Sequence, residues 1–81
     1  MRPNSTISVD AKELGNYFRS LRDDRQWSLR KAAEMTGIHH ATTSGIERGV
    51  SLPSLECFLS LCKVYDVDVN EIFRVAEAKK R

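Results

Sequence analysis

Residues 39–48 hold the side chains of this 81-residue sequence that are best suited to chemistry. His40 and Ser44 are four positions apart, so they share one exposed face if the segment is helical. A nucleophile and its base also need a site that stabilises an oxyanion. The sequence offers no such site, no paired carboxylates in a cleft and no phosphate-binding Gly-rich loop. Because these features are missing, the sequence argues against an enzyme.

Two neighbouring histidines, His39 and His40, suggest metal binding. Consecutive positions on a helix point in different directions, however, and no Cys, Asp or Glu nearby completes a set of ligands. Cys57 and Cys62 are five residues apart inside a helical pattern, which matches neither a C-x-x-C redox pair nor a zinc site. The sequence therefore predicts two reduced thiols, no metal or other cofactor, and no small-molecule ligand.

The placement of the side chains in residues 39–48 assumes that this segment is helical. Patterns typical of helices recur along the chain. A capping box at Asp10, followed by apolar residues at helical spacing, predicts a first helix over residues 11–25. Ser28 caps a second, short helix, which ends at Gly37 because glycine tolerates a left-handed conformation. Residues 40–48 then form a third helix, which begins only three residues after the second has ended.

Two more helices follow. Pro53 and Ser54 open a fourth helix, and a fifth begins at Asp68 and runs toward the basic residues 79–81. The fourth helix carries the strongest apolar stripe of the chain, which is expected to be the main wall of the core: Leu55, Phe58, Leu59, Cys62 and Tyr65. The sequence thus predicts an all-α domain of five helices over residues 10–81, preceded by a flexible arm at 1–9.

Composition allows one small core and no second domain, with 41% hydrophobic residues. No apolar run is long enough for a membrane span and no secretory signal is present, so a cytoplasmic location without membrane contact is expected. The net charge of +2 is unevenly distributed: +2 over residues 1–53, −3 over 54–73 and +3 over 74–81. A basic first half fits contact with phosphates, whereas the modest total argues against indiscriminate coating of nucleic acid.

Four residues in the middle of the chain meet the constraints of a helix-turn-helix. This motif packs two short helices across a tight turn and leaves the second helix free to enter the DNA major groove. Ala33 supplies a small residue where the helices face each other, and Gly37 supplies the turn. Ile38 and Ile46 anchor the two ends of the motif's second helix, which is the third helix of the chain.

These residues resemble the phage-repressor and Cro (Xre-like) helix-turn-helix family over roughly residues 14–73. The resemblance is carried by Leu14-Gly15, Leu21-Arg22, Ser28, Ala33, Gly37-Ile38, Ile46-Glu47-Arg48-Gly49, Pro53-Ser54 and residues 67–73. It implies five helices, binding of double-stranded DNA, and a homodimer on a palindromic operator. The segment 44–49 also looks like the recognition-helix end of restriction–modification controller proteins.

The resemblance also implies roles for individual residues. Base contacts fall to His40, Ala41, Ser44 and Gly45. Phosphate contacts fall to Ser28, Arg30, Lys31, His39, Thr42 and Arg48. For His39, however, the preferred interpretation is that it substitutes for a helix N-cap residue. Arg22 and Glu47 resemble a structural ion pair that ties the first helix to the end of the third. Ile72, Phe73 and Val75 either bury themselves against the first helix or form part of a dimer seam.

Two questions stay open at this point. Gly45 in mid-helix costs about 1 kcal/mol relative to alanine, which fits either close approach of the helix backbone to DNA or tight packing against a neighbouring helix. Leu29 stands where the family commonly has a glutamine that braces contacts to the DNA backbone, and a leucine cannot donate that hydrogen bond. The leading hypothesis is a homodimeric transcriptional repressor; the alternative is an antitoxin-like protein-interaction module built on the same helices.

Overall fold

The computed structural model describes residues 8–77, which form five α-helices. These are α1 (Ala11–Asp24), α2 (Leu29–Thr36), α3 (His40–Glu47), α4 (Leu55–Tyr65) and α5 (Val69–Ala76). The predicted all-α class and the order of the five helices are confirmed. None of these helices has the length and apolar character needed to cross a bilayer.

Each helix begins at a side chain that accepts a hydrogen bond from a backbone N–H of the first turn. These N-cap residues are Asp10, Ser28, His39, Ser54 and Asp68. Such caps satisfy amide groups that have no partner inside the helix. His39 caps through its Nδ1 atom, which accepts from the Ala41 N–H at 3.1 Å. The substitute-cap interpretation of His39 is therefore confirmed.

The start of α1 is joined to the end of α5. The Asp10 N–H donates to the Ala76 carbonyl at 2.6 Å, and Val9 forms an isolated antiparallel bridge with Glu77. Residues 1–7 of the predicted flexible arm lie outside the described residues. Val9, the last residue of that arm, contacts the residue after α5 through this bridge.

The core gathers side chains from α1, α3, α4 and α5 and from the turn before α3. The buried cluster consists of Leu14, Phe18, Ile38, Ile46, Leu61, Cys62, Tyr65 and Ile72. Trp27 packs at its edge, as expected, with its ring centroid 5.7 Å from that of Tyr65. The guanidinium of Arg25 lies over the Tyr65 ring and also donates to the Tyr65 carbonyl at 3.0 Å. Aromatic packing therefore fixes the junction between α1 and α4.

The apolar stripe predicted for α4 is partly wrong. Leu55 and Leu59 are 71% and 52% exposed, whereas Leu61 is buried. At 100° per residue the buried arc of α4 is centred on residues 58, 61, 62 and 65, and positions 55 and 59 fall at its edge. Two leucines expected in the core therefore lie on the surface.

α2 packs through small side chains. Ala32 is completely buried, whereas Ala33, the residue assigned to the close contact, is half-buried. Met35 is 47% exposed, so it does not extend the apolar side of the helix into the core. The short α2 is held mainly by α3 and α4.

Candidate nucleic-acid interface

The turn between α2 and α3 depends on the backbone of Gly37. Its φ of +78° is left-handed, and its N–H donates to the Ala33 carbonyl at 2.8 Å. No atom lies within 4 Å of where a Cβ would stand, so the glycine is required for its conformation rather than for space. Thr36 Oγ1 accepts from the Ile38 N–H at 3.1 Å and closes the turn.

The inner side of α3 is buried against α1 and α2. Thr43, Ile46 and Glu47 are the buried residues of this helix. The Thr43 Oγ1 atom has no hydrogen-bond partner among residues 8–77. At 100° per residue, these three positions face away from Ala41, Gly45 and Arg48, which define the outer side.

α1 approaches α3 at Gly15, where the two backbones are nearly in contact. A Cβ on Gly15 would lie 2.6 Å from the Glu47 carbonyl oxygen and closer still to that of Ile46. Real Cβ atoms do not approach carbonyl oxygens so closely, and backbone atoms cannot rotate away. Only glycine therefore permits this spacing between the helices.

The carboxylate of Glu47 and the guanidinium of Arg22 form a bidentate ion pair across the same junction. Arg22 Nε lies 2.8 Å from Glu47 Oε2, and Arg22 Nη2 lies 2.9 Å from Oε1. Arg22 Nη1 also donates to the Trp27 carbonyl at 2.7 Å. The two side chains are 12% and 6% exposed, so the pair is largely removed from water.

This environment raises the pKa of Arg22. Its hydrogen bond to Glu47 is the largest cause, and burial acts in the opposite direction. The arrangement ties α1, the loop that follows it and the last turn of α3 to one guanidinium. It can therefore hold α3 at a fixed angle to the rest of the domain.

The outer side of α3 is open to solvent. His40, Ala41, Thr42 and Arg48 are exposed, and Ser44 and Gly45 are half-buried. A Cβ on Gly45 would lie 3.1 Å from the Ser51 hydroxyl, which belongs to the loop after α3 and can rotate. Gly45 is thus not packed tightly against a neighbouring helix, and the structural alternative for this residue is wrong.

Two contacts organise the polar side chains on this outer side. Arg48 Nε donates to the Ser44 hydroxyl at 3.2 Å, so Ser44 orients a cation as well as facing outward. The rings of His39 and His40 stack, with centroids 4.5 Å apart. The expectation that these rings point in different directions is wrong, because His39 precedes the helix and has an extended backbone. No third ligand joins them to form a metal site within residues 8–77.

The remaining predicted phosphate contacts lie at the start of α2. Ser28, Arg30 and Lys31 are all exposed there. The Ser28 hydroxyl accepts from the Lys31 N–H at 3.0 Å, which leaves its own hydrogen free to donate outward. Two cations and a helix N-terminus in one place favour an anion.

Known proteins share both this sequence pattern and this fold. A model described as a helix-turn-helix domain matches residues 13–74, well over half of the chain. The chain belongs to the helix-turn-helix family. It is 36% identical over 52 residues to the HTH-type transcriptional regulator AnsR of Bacillus subtilis, a match that covers 64% of this chain and 45% of AnsR. It is 32% identical over 71 residues to PuuR of Escherichia coli, another HTH-type transcriptional regulator, covering 88% of this chain and 38% of PuuR.

A solved structure extends the likeness to the restriction–modification controllers. The controller protein C.AhdI from Aeromonas hydrophila superposes with a TM-score of 0.72 at 30% identity, covering 79% of this chain and 97% of that protein. The resemblance to the phage-repressor family and its controller branch is thereby confirmed, and the family is not an enzymatic one. This helix-turn-helix chain nevertheless spans less than half the length of AnsR and PuuR.

The residues predicted for a dimer seam of this helix-turn-helix protein differ in how far they are exposed. Ile72 is buried in the core, which agrees with the alternative that it packs against the first helix. Phe73 is 47% exposed and Val75 is half-buried. Phe73 and Ile72 both line an apolar groove of about 340 Å³, with Val9, Leu52, Pro53 and Val69 among its other lining residues.

Sequence reasoning missed two features of the interface. Gly15 belongs to the Leu14-Gly15 motif, but nothing in the sequence shows which helix approaches it. Lys12, Asn16 and Arg19 were not assigned a role, yet they line one cleft with Ser44 and Arg48 of α3. Their spacing of four and three residues is the signal for a shared polar face of α1. Which element lies beside that face depends on the tertiary fold.

Proposed function

We propose that this chain is a sequence-specific regulator of transcription that binds double-stranded DNA as a homodimer and represses from a palindromic operator. The observation that supports it best is the contrast on α3, whose inner side is fixed by Gly15 and by the Arg22–Glu47 pair while its outer side is unobstructed. A helix held in this way can enter a major groove without reorganising. A cytoplasmic location, with access to DNA, belongs to the same proposal.

Four residues are assigned to base edges. Ala41 lies at the centre of the outer side and suits a thymine methyl group, whereas His40 can exchange hydrogen bonds with a purine edge. Ser44 can still donate its hydroxyl hydrogen while accepting from Arg48. Gly45 permits the backbone to approach the DNA closely. The set contains no Arg, Asn or Gln that could make a bidentate contact to a base, so sequence preference draws on DNA shape as well.

Phosphate contacts surround these residues. Ser28, Arg30 and Lys31 face one stretch of backbone from the start of α2, while Thr42 and Arg48 lie exposed on α3. His39 uses Nδ1 to cap α3, so its other ring nitrogen carries the proton and can donate to a phosphate. One side chain thus serves both the structural role and the binding role considered for it.

The dimer is assigned to the apolar groove at α5 and to the exposed apolar residues around it. Val9, Leu52, Val69 and Phe73 are each about half exposed there. Their exposure in one place is typical of a surface that another protein covers. A two-fold dimer would present its two α3 helices about 34 Å apart on successive major grooves. Bound in that way, it would exclude other proteins from the same DNA and thus repress.

Selection of bound sites from a pool of random duplexes tests this function. We expect a palindrome whose half-sites are separated by about one helical turn. A single asymmetric motif would contradict the dimer. If no duplex binds even at low salt, the chain is not a DNA-binding protein. The antitoxin-like interaction module then becomes the better hypothesis.

The dimer surface has its own test. Phe73→Ser should convert the dimer to a monomer in sedimentation and weaken binding to the palindrome far more than to a single half-site. Met35→Ser is a matched control, because Met35 is also 47% exposed but does not line the groove. Equal effects of the two substitutions on sedimentation would place the interface elsewhere.

A further inference from the structure

A polar cleft of about 490 Å³ lies between α1 and the C-terminal half of α3. Lys12, Asn16 and Arg19 line it from α1, and Ser44 and Arg48 line it from α3. The Arg22–Glu47 pair and Leu29 complete the lining. The cleft reaches the start of α2 through Leu29, but the predicted phosphate contacts there are not among its lining residues: Ser28, Arg30 and Lys31.

The charges in this cleft are unevenly compensated. Glu47 is the lining carboxylate, and the bidentate pair with Arg22 already occupies both of its oxygens. Lys12 and Arg48 form no ion pair with any residue between 8 and 77. Arg19 lies 3.7 Å from Asp23 in an exposed pair, which water screens strongly. The cleft therefore presents excess positive charge and several hydrogen-bond donors to an anion.

The position of the cleft identifies the anion. It opens beside Ser44 and Arg48, and Arg48 is already oriented by the Ser44 hydroxyl. The walls of a major groove are the two phosphate backbones, so DNA that receives α3 places a backbone alongside the helix. Leu29 contributes an apolar surface on the same cleft, which suits the deoxyribose beside a phosphate.

We propose that this cleft binds a phosphate of the DNA backbone between Lys12 and Arg48, with Asn16 and Arg19 as further donors. α1 is then a DNA-contacting helix as well as part of the scaffold, and the contact fixes the depth at which α3 sits in the groove. This inference rests on the proposed DNA-binding function. It adds donors from α1 to the phosphate contact already proposed for Arg48.

Salt dependence of binding to the selected duplex tests the contact. Each phosphate contact contributes about 0.9 to the slope of log affinity against log salt concentration. Lys12→Gln and Arg19→Gln should each reduce the magnitude of this slope, by up to that amount, while leaving the preferred sequence unchanged. Both residues are exposed, so thermal melting should match the wild type.

Matched controls separate this cleft from general loss of charge. Lys63 on α4 and Arg74 on α5 are exposed cations that do not line the cleft. Lys63→Gln and Arg74→Gln should leave the slope nearly unchanged. If all four variants reduce it equally, the effect is non-specific and the cleft is not a phosphate site.

Neutral methylphosphonates, placed one at a time along the duplex, locate the phosphate. At one position per half-site, neutralisation should weaken wild-type binding more than it weakens Lys12→Gln binding, because the variant has already lost one of the donors to that phosphate. Additive losses at every position would overturn the inference while leaving DNA binding intact. Failure of the wild type to bind any duplex would overturn both the inference and the proposed function.

Discussion

The two sides of α3 differ in how firmly their side chains are held. On the inner side, Glu47 is fixed by two hydrogen bonds from Arg22, and the backbone lies almost against Gly15. On the outer side, the contacts are a single hydrogen bond between Arg48 and Ser44 and the stacked rings of His39 and His40.

Positioning of the helix and contact with DNA thus depend on opposite sides of one eight-residue helix. A rigid inner side sets where the helix lies, whereas a weakly constrained outer side can adapt to the base edges and phosphates that it meets. Because the outer side offers few groups for direct base readout, its sequence preference should depend strongly on phosphate positioning and DNA shape. Substitutions on the two sides should therefore have different consequences.

Glu47→Ala should have the largest effect. Removing one member of a buried ion pair leaves an unpaired charge and costs about 3–5 kcal/mol, a large share of the stability of a domain of this size. Urea unfolding followed by circular dichroism measures the loss, and DNA binding should disappear because the domain unfolds. A Glu47→Ala protein that melts like the wild type yet fails to bind would show that Glu47 acts by direct contact.

The double variant Arg22→Met with Glu47→Met is the control for that result. Replacing both charges with apolar side chains leaves no unpaired charge, so much of the lost stability should return. Binding should recover only in part if the pair also fixes the angle of α3. A double variant no more stable than Glu47→Ala would indicate that the geometry of the pair, rather than its charge, holds the junction.

Two glycines provide the next comparison, with smaller effects of opposite sign. Gly15→Ala forces a Cβ against backbone oxygens of α3 and should cost about 1–3 kcal/mol, since overpacking typically costs that much. Gly45→Ala meets only the Ser51 hydroxyl, which can rotate, and should gain up to about 1 kcal/mol from helix propensity. Thermal melting of both variants measures these effects. Shifts of the melting temperature in the same direction for the two variants would contradict this contrast.

Gly45→Ala also tests whether this glycine permits a close approach of α3 to DNA. If the glycine exists for close approach to DNA, the variant should be more stable than the wild type yet bind the selected duplex more weakly. Stability and affinity that rise together would argue against a close approach.

On the outer side, Arg48→Ala should change stability by less than about 0.5 kcal/mol, as expected for an exposed residue. Its effect should appear in the salt dependence of DNA binding, because one phosphate contact is lost. Ser44→Ala distinguishes the two roles that Ser44 can have on this side. If Ser44 mainly orients Arg48, binding falls uniformly across duplex sequences, whereas a base contact by Ser44 would relax the preference at one base pair.

The smallest effect is confined to alkaline solution. Burial raises the pKa of Tyr65, the negative charge of Glu47 adds to the increase, and Arg22 and Arg25 oppose it. The unfolded chain therefore loses this proton first, near pH 10, and stability should fall as the pH rises above that value. Tyr65→Phe should reduce this decline while leaving stability at neutral pH nearly unchanged. Urea unfolding of the wild type and of Tyr65→Phe between pH 8 and pH 11 measures the free energy of unfolding on both sides of this transition.

The residues that could be predicted from the sequence act locally. Caps such as Ser28 and Ser54, and the left-handed turn at Gly37, depend on neighbours within a few positions, so their sequence signals are direct. The stripe of α4 was less predictable, because an apolar residue at the edge of a buried arc can lie on either side of the boundary. Leu55 and Leu59 lie on the outside of that boundary, where only packing decides.

The sequence by itself determined the helical class, the order of the five helices and the helix-turn-helix family, because periodicity, caps and motif spacing are properties of the chain. Tertiary packing, in contrast, makes Gly15 the contact between α1 and α3, buries Ile72, and brings Lys12 and Arg19 beside the recognition helix. These features join residues far apart in sequence. They depend on which helix faces which, and no local signal in the sequence specifies that.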